Sequence, residues 1–327
     1  MSAHLALQAP FFEGAGEQEE ARRAFARDLV AALDARPRRI SPKYFYDAAG
    51  SRLFDRICTL PEYYPTRTEA GILRERAGEI ARHIGPGAEI VEFGAGSLHK
   101  VRWLLDALQA PRGYLPIDIS GEHLAEAARQ LREERPGLSV HPVVADYTQP
   151  FALPQPAPGA RRVGFFPGST LGNFDEAEAF SFLSRAAQLL RGGGLLLGVD
   201  LVKDPAVLHA AYNDSQGVTA AFNRNLLVRA NTELGCDFDI DGFAHAAFYN
   251  APLQRIEMHL QSLRAQTVHL GGVAWRFEEG ETLHTENSHK FSVEGLRALA
   301  LRAGFGIGPV WTDADRLFSV HWLPAAQ

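Results

Sequence analysis

The run Ile90-Val91-Glu92-Phe93-Gly94-Ala95-Gly96-Ser97-Leu98-His99-Lys100 decides how this chain is read. Two apolar residues and an acid lead into Gly94-x-Gly96, and a helical face of Val101, Leu104, Leu105 and Leu108 follows at once. A strand, a tight turn and a helix N-terminus in that order let the backbone approach a ligand, because glycine has no Cβ to obstruct it. A full dinucleotide fingerprint wants a third glycine where His99 stands. Its absence disfavours a pyrophosphate and favours a smaller adenosyl ligand, with Lys100 suited to a free carboxylate. Taken alone, the turn is equally compatible with an ordinary βα connection.

Outward from this turn, residues 68–201 alternate helix and strand. A helix over about 69–83 precedes the strand 89–93. A strand over 114–119 carries Asp118, and Ser120 or Gly121 opens the next helix with Glu122 as capping partner. A strand over 139–145 ends in Asp146-Tyr147. After a proline-rich linker, a strand over 163–167 runs into Gly168-Ser169-Thr170-Leu171-Gly172-Asn173. A helix over 175–190 and a strand over 195–199 complete the series. Alternating elements with continuous apolar strands predict an α/β, doubly wound parallel sheet.

The flanking segments read differently. Residues 17–33 form an amphipathic helix with Phe25, Leu29, Val30 and Leu33 on one face. The aromatic runs 41–47 and 60–66 carry prolines, and Pro61 and Pro65 predict no regular helix in the second. Such stiff aromatic loops serve as core plugs or lids. Residues 202–290 give a helical stretch, an irregular segment and antiparallel strands over 254–263, 266–270 and 273–278. Near the end, Ser292 caps a helix that Gly304 stops, and strands follow over 305–311 and 318–322. This closing pair is similar to the last two strands of an adenosylmethionine-dependent methyltransferase sheet. The expectation is therefore a seven-stranded Rossmann-like sheet from 68–201 and 291–327, with a smaller α+β substrate domain from 15–67 and 202–290.

Composition narrows the function. With 46% hydrophobic and 22% charged residues the chain has an ordinary globular balance. A net charge of -6, without a run of Lys or Arg, argues against a nucleic-acid surface. Cys58 and Cys236 are the two cysteines, so a disulfide framework is not expected and a reducing compartment fits. Met1–Glu20 lacks the basic and apolar regions of a signal peptide, and no apolar run reaches transmembrane length. A cytoplasmic protein with no membrane and no nucleic-acid partner is expected.

Three acids stand at strand ends: Glu92, Asp118 and Asp146. Ligands of an open α/β sheet bind beyond the carboxyl ends of its strands. Asp118, about twenty residues past the turn, fits an acceptor for ribose hydroxyls. Asp146 would reach an adenine amino group, with Tyr147 against the ring. Each aspartate could instead cap a helix, but with Gly94 and Lys100 they make one pocket, which favours adenosylmethionine over a nicotinamide. In the 168–173 loop Asn173 offers both a donor and an acceptor, or satisfies loop backbone. In Thr285-Glu286-Asn287-Ser288-His289-Lys290, Glu286 and Ser288 are two apart and share a strand face. They could grip a side chain bearing an N–H, or lie in solvent. His284 and His289 have no third ligand in their flanks, so no metal is expected.

At this level the residues resemble the histidine-specific Nα-methyltransferases of ergothioneine biosynthesis. The resemblance rests on Phe45-Tyr46-Asp47, Leu60-Pro61-Glu62-Tyr63-Tyr64-Pro65-Thr66-Arg67-Thr68-Glu69, the 168–173 loop, Leu201-Val202-Lys203-Asp204, Arg255-Ile256-Glu257-Met258 and the 285–291 segment. It implies trimethylation of L-histidine to hercynine by three adenosylmethionines, and a monomer. The cofactor positions it implies are Gly94, Lys100, Asp118, Asp146 and Tyr147, the last a departure from phenylalanine. The substrate positions are Tyr63, Gly168, Asn173, Tyr212, Met258, Glu286, Asn287 and Ser288. Asn173 and Tyr212 would hold the substrate carboxylate, Glu286 and Ser288 its imidazole, and Met258 an apolar wall. Gly168 and Gly172 would leave room around the methylated nitrogen, and no dedicated acid or base is evident. Alternatives are an N-methyltransferase for another amino acid such as a tryptophan derivative, a nicotinamide oxidoreductase, or a non-catalytic binding protein.

Overall fold

The computed structural model describes residues 17–96, 98–119 and 121–326. The expected capping by Ser120 and Glu122 lies outside the described residues, as does most of Met1–Glu20. The chain separates into two units. The larger comprises Tyr64–Asp204, Pro252–Arg255 and the chain from Ser288 onward; the smaller comprises the chain up to Tyr63, Pro205–Ala251 and Ile256–Asn287.

The larger unit is organised on one sheet. Its strands run in the order Val310–Thr312, Phe318–Pro324, Gly194–Asp200, Arg161–Phe166, Ala88–Phe93, Gly113–Asp118 and Ser139–Val140. Neighbours from Gly194–Asp200 to Ser139–Val140 are parallel, and Phe318–Pro324 pairs antiparallel on both sides. Ala88–Phe93 and Gly194–Asp200 are buried along their whole length, as strands covered by helices on both faces must be. The expected strand over 139–145 is instead two short pieces, Ser139–Val140 and Val143–Val144, both paired with Gly113–Asp118. Pro142 between them has no N–H to give the ladder. The penultimate strand is also shorter than expected, Val310–Thr312, with Phe305 joined to Ala325 by a single bridge.

One sequence expectation is overturned at the head of this unit. Helix Tyr64–Ile84 begins before Pro65 rather than after it. Proline in a first helical turn forfeits only an N–H that has no partner inside the helix, and its fixed φ suits the helix. The prolines therefore place the start of the helix instead of forbidding it.

In the smaller unit, helix Glu17–Asp34 buries Phe25, Leu29, Val30 and Leu33 to within 1% exposure, the face its period predicts. Helix Ala48–Ile57 is capped by Asp47, which accepts from Gly50 N–H at 2.6 Å. Helices Pro205–Tyr212 and Val218–Leu234 lead to a sheet ordered Arg38–Arg39, Thr282–His289, Arg255–Ser262 and Phe243–Asn250. Phe243–Asn250 was not anticipated from the sequence. Strands Gln266–Leu270 and Val273–Phe277 close as a hairpin through Gly271-Gly272, both at positive φ, the conformation two-residue hairpin turns need. Among the described residues no helix is long and apolar enough to cross a membrane.

Candidate active site

The glycine turn leaves the carboxyl end of Ala88–Phe93 with Gly94 at φ 72°. Gly94 and Ala95 donate their N–H groups to the Ile117 carbonyl at 2.9 and 3.0 Å, which ties the turn to the neighbouring strand. A Cβ at Gly94 would stand 3.5 Å from the Tyr147 ring, whereas one at Gly96 would meet nothing. The turn is thus an open cradle with an aromatic ring beside it. Tyr147 also meets Phe93, Phe166 and Phe182 edge-on, and burial holds its hydroxyl protonated well above the ordinary tyrosine range. Asp118 closes its strand, half-buried, and the side chains of Ile119 and Val144 stand 41% and 51% exposed. Asp146 accepts from Thr148 N–H at 2.9 Å and from the Thr148 hydroxyl. Acceptors, an apolar surface and a turn without Cβ obstruction fit the adenosine of S-adenosylmethionine.

Glu92, the third acid, behaves differently. It is 2% exposed and takes the Tyr114 hydroxyl. Burial pushes its carboxyl up to about 8, against the pull of that hydrogen bond and of Lys100. At neutral pH it carries a proton, so it serves as a buried strut rather than an acceptor for ligand.

Lys100, in the first turn of helix His99–Ala107, forms an ion pair with Glu69. Glu69 also accepts the Gly168 N–H, at 3.0 and 2.9 Å from its two oxygens. Gly168 and Ser169 both take positive φ, 81° and 59°, before the short 3-10 turn Thr170–Asn173. Gly172 has a different reason from the one expected. A Cβ there would lie 2.7 Å from the His289 carbonyl oxygen, so its missing side chain admits that strand's backbone and does not leave free space. Ser169 Oγ in turn accepts from Asp200 N–H at 2.9 Å. The Asp200 carboxylate is shared by Tyr64, Lys203 and Lys290, and Lys290 donates to Ser288 Oγ at 2.7 Å.

In the smaller unit Tyr63, Tyr212, Met258 and Glu286 meet around one small cavity. Phe54, Phe222 and Thr219 complete much of its wall. Its rings contact edge-on, Phe54 to Tyr63 at 6.3 Å and Tyr63 to Tyr212 at 6.4 Å, an arrangement aromatic quadrupoles favour. Burial, then neighbouring Tyr212, keeps the Tyr63 hydroxyl firmly protonated. Glu286 supplies the carboxylate in this aromatic setting. Ser288 is 4% exposed and belongs to the larger unit with Gly168 and Asn173; none of the three lines the cavity. Asn287 is 1% exposed on the other face of its strand, and neither its Nδ2 nor its Oδ1 finds a hydrogen-bond partner.

A polar chain fixes two of the cavity walls. His245 Nε2 donates to the Tyr212 carbonyl at 2.9 Å, so its Nδ1 accepts from Asn223 Nδ2 at 2.9 Å. The Asn223 oxygen takes the Thr285 hydroxyl at 2.8 Å, while its Nδ2 also reaches the His259 carbonyl. Thr285 Oγ1 lies 3.0 Å from the Met258 carbonyl as well. These residues were not singled out from the sequence, although Phe222-Asn223 lay in a noted helical stretch.

His284 lies not with His289 but with Glu257 and His259, whose ligand atoms fall within 4.8 Å of one another. The two rings stack at 4.4 Å with 16° between their planes. An imidazole holds a metal in its ring plane, so nearly parallel stacked rings do not converge on one ion without turning. His284 Nε2 donates to the Glu286 carbonyl at 3.0 Å, and burial pushes the ring's pKa down to about 4. The stacked His284 ring braces the backbone at Glu286.

The sheet order, with its one antiparallel strand next to the end, and the acid-flanked glycine turn at the parallel strands' carboxyl ends define an S-adenosylmethionine-dependent methyltransferase. Over residues 25–325 the chain matches the family described as histidine-specific, SAM-dependent methyltransferases, and it belongs to that family. It is 44% identical over 302 residues to the histidine N-alpha-methyltransferase of Mycolicibacterium smegmatis, covering 90% of this chain and 93% of that protein. The histidine N-alpha-methyltransferase of Mycobacterium tuberculosis is 42% identical over 296 residues, 89% of this chain and 91% of the relative. Ergothioneine biosynthesis protein 1 of Neurospora crassa is 30% identical over 312 residues, which are 89% of this chain and 34% of that longer protein.

Proposed function

We propose that this protein methylates the α-amino group of L-histidine three times with S-adenosylmethionine, releasing hercynine as the first step of ergothioneine biosynthesis. The observation that carries the reading is the cavity shared by Glu286, Met258, Tyr63 and Tyr212 in a chain of this family. One carboxylate in an otherwise aromatic and apolar wall suits a small ring with an N–H to donate. A side chain lacking that donor would forgo a hydrogen bond to a charged group, a loss of about 1.5–3 kcal/mol. An indole also has an N–H but would want a larger and more apolar wall, which places the tryptophan-derivative reading second.

In this reading Gly94, Lys100, Asp118, Asp146 and Tyr147 hold S-adenosylmethionine, which supplies a methyl group activated on a sulfonium. Asn173 and Tyr212 hold the carboxylate of histidine, Glu286 and Ser288 its imidazole, and Gly168 leaves room around the methylated nitrogen. Transfer to an amine is an in-line displacement, so the residues contribute chiefly alignment. The amine attacks only when neutral, and its proton leaves to water or to a weak base, with no dedicated acid or base assigned. The larger unit acts as the methyl-donor domain and the smaller as the histidine domain of a cytoplasmic monomer with no metal and no macromolecular partner.

Mass spectrometry of a reaction containing S-adenosylmethionine and all the standard amino acids tests this. Three methyls on histidine alone are expected. Methyls on another amino acid would overturn the assignment of Glu286 and Ser288 while leaving the donor site standing.

A further inference from the structure

We propose that Glu69 is the positioning residue of the methyl-donor site: it sets the Lys100 ammonium for the donor's carboxylate and fastens the 168–173 loop to it. This rests on the reading of Lys100 given above. Glu69 is 1% exposed within helix Tyr64–Ile84. Its carboxylate takes the Lys100 ammonium and the Gly168 N–H together. A buried ion pair does little for stability compared with apolar residues of the same shape, so its use is sought in what it orients. The surrounding backbone is shaped to it. A Cβ at Gly198 would lie 2.0 Å from Glu69 Oε1, and one at Gly168 would lie 3.5 Å from Lys100 Nζ.

One carboxylate therefore joins three places: helix Tyr64–Ile84, which begins within the Leu60–Glu69 motif, the helix that follows the glycine turn, and the loop that ends in Asn173. Lys100 is a flexible four-carbon chain whose side chain is 18% exposed. Held by Glu69, it presents its charge in one place and does not lose rotamer freedom when a carboxylate arrives. Glutamine at 69 would keep an acceptor for Gly168 but turn an amide donor toward the ammonium, and so release it.

The test is calorimetric titration of the full chain with two ligands. S-adenosylhomocysteine carries the amino-acid tail; 5′-methylthioadenosine has the same adenosine and thioether without it. Glu69→Gln and Lys100→Met are each expected to weaken S-adenosylhomocysteine about tenfold, the scale of one long side chain's lost order. The double variant is expected to be no weaker than Lys100→Met, because the two residues act as one unit. Methylthioadenosine should bind all of them as it binds the parent. Glu69→Asp keeps the charge but retracts it by one carbon, and should show the same selective loss if Glu69→Gln does not fold. Equal weakening of both ligands by the Glu69 variants would make Glu69 a structural support and overturn the proposal. Unchanged or tighter S-adenosylhomocysteine with Glu69→Gln, while Lys100→Met is impaired, would overturn it as well. An unimpaired Lys100→Met would instead remove the reading of Lys100 on which the proposal stands.

Discussion

Tyr64 donates its hydroxyl to the carboxylate of Asp200, 2.8 and 2.7 Å from the two oxygens. Asp200 is 1% exposed and also takes the ammonium groups of Lys203 at 2.5 Å and Lys290 at 2.9 Å. One anion thus holds two buried cations, one of which donates to Ser288. Asp200→Asn removes the charge that both lysines answer. Chemical denaturation should show a loss of about 3–5 kcal/mol, the cost of stranding buried charge. Tyr64→Phe removes only a hydroxyl bonded to a charged group and should cost about 1.5–3 kcal/mol.

Glu286→Ala is the direct test of the cavity. The variant loses the acceptor for a substrate N–H, a charged hydrogen bond of about 1.5–3 kcal/mol, so KM for histidine should rise about 10- to 100-fold. Affinity for S-adenosylhomocysteine should stay at the parent value. Equal loss of both would show that Glu286 does not read the substrate.

Asn223 acts on the same cavity from behind. Asn223→Leu would leave His245 and Thr285 without the partner that links the Tyr212 and Met258 backbones. Thr285 keeps the Met258 carbonyl, but the half-buried His245 Nδ1 loses its donor, at about 1–3 kcal/mol. Lower stability together with a raised histidine KM is expected, whereas a fall in stability alone would confine the chain to a structural role. The assay is steady-state kinetics beside thermal unfolding.

What was legible in the sequence follows from how local each feature is. The glycine turn, Asp118 and Asp146 stand at strand ends, where the period of the chain itself locates them. The Leu60–Glu69 run was visible as a motif but misread at Pro65, because proline forbids a helix interior and favours a helix start. The cavity walls Phe54 and Phe222 come from helices far apart in sequence, and nothing periodic links them. Asn223, His245 and Thr285 look like ordinary polar residues until the fold buries them together. Glu69 stands in a helical pattern where an acid reads as a solvated face, and only Lys100 and Gly168 beside it show otherwise.

Gly172→Ala examines the loop. The added Cβ would lie 2.7 Å from the His289 carbonyl oxygen and 3.2 Å from its nitrogen. Both are backbone atoms of a paired strand and cannot swing aside as a side-chain tip would, so the loop that carries Asn173 must move. Displacement by about 1 Å commonly costs about 100-fold in an alignment-dependent reaction. A fall of that order in kcat/KM, with S-adenosylhomocysteine affinity kept, is expected. Parent-like turnover would show that the loop's position does not limit transfer.

Glu92 makes stability depend on pH in a direction opposite to most acids. Its carboxyl titrates at 4.5 when free and is pushed by burial to about 8 in the folded chain. Between those values the native protein holds a proton that the unfolded chain has released, so folding takes up a proton. Stability must then fall as pH rises through that window, since the state binding fewer protons gains. Glu92→Gln keeps the shape and an acceptor for the Tyr114 hydroxyl but cannot ionise. Its melting temperature should lose less than the parent's between mildly acidic pH and pH 8, so the variant gains on the parent as pH rises. Thermal unfolding of both proteins across that range measures the difference, and parallel curves would mean that Glu92 is ionised in the native protein.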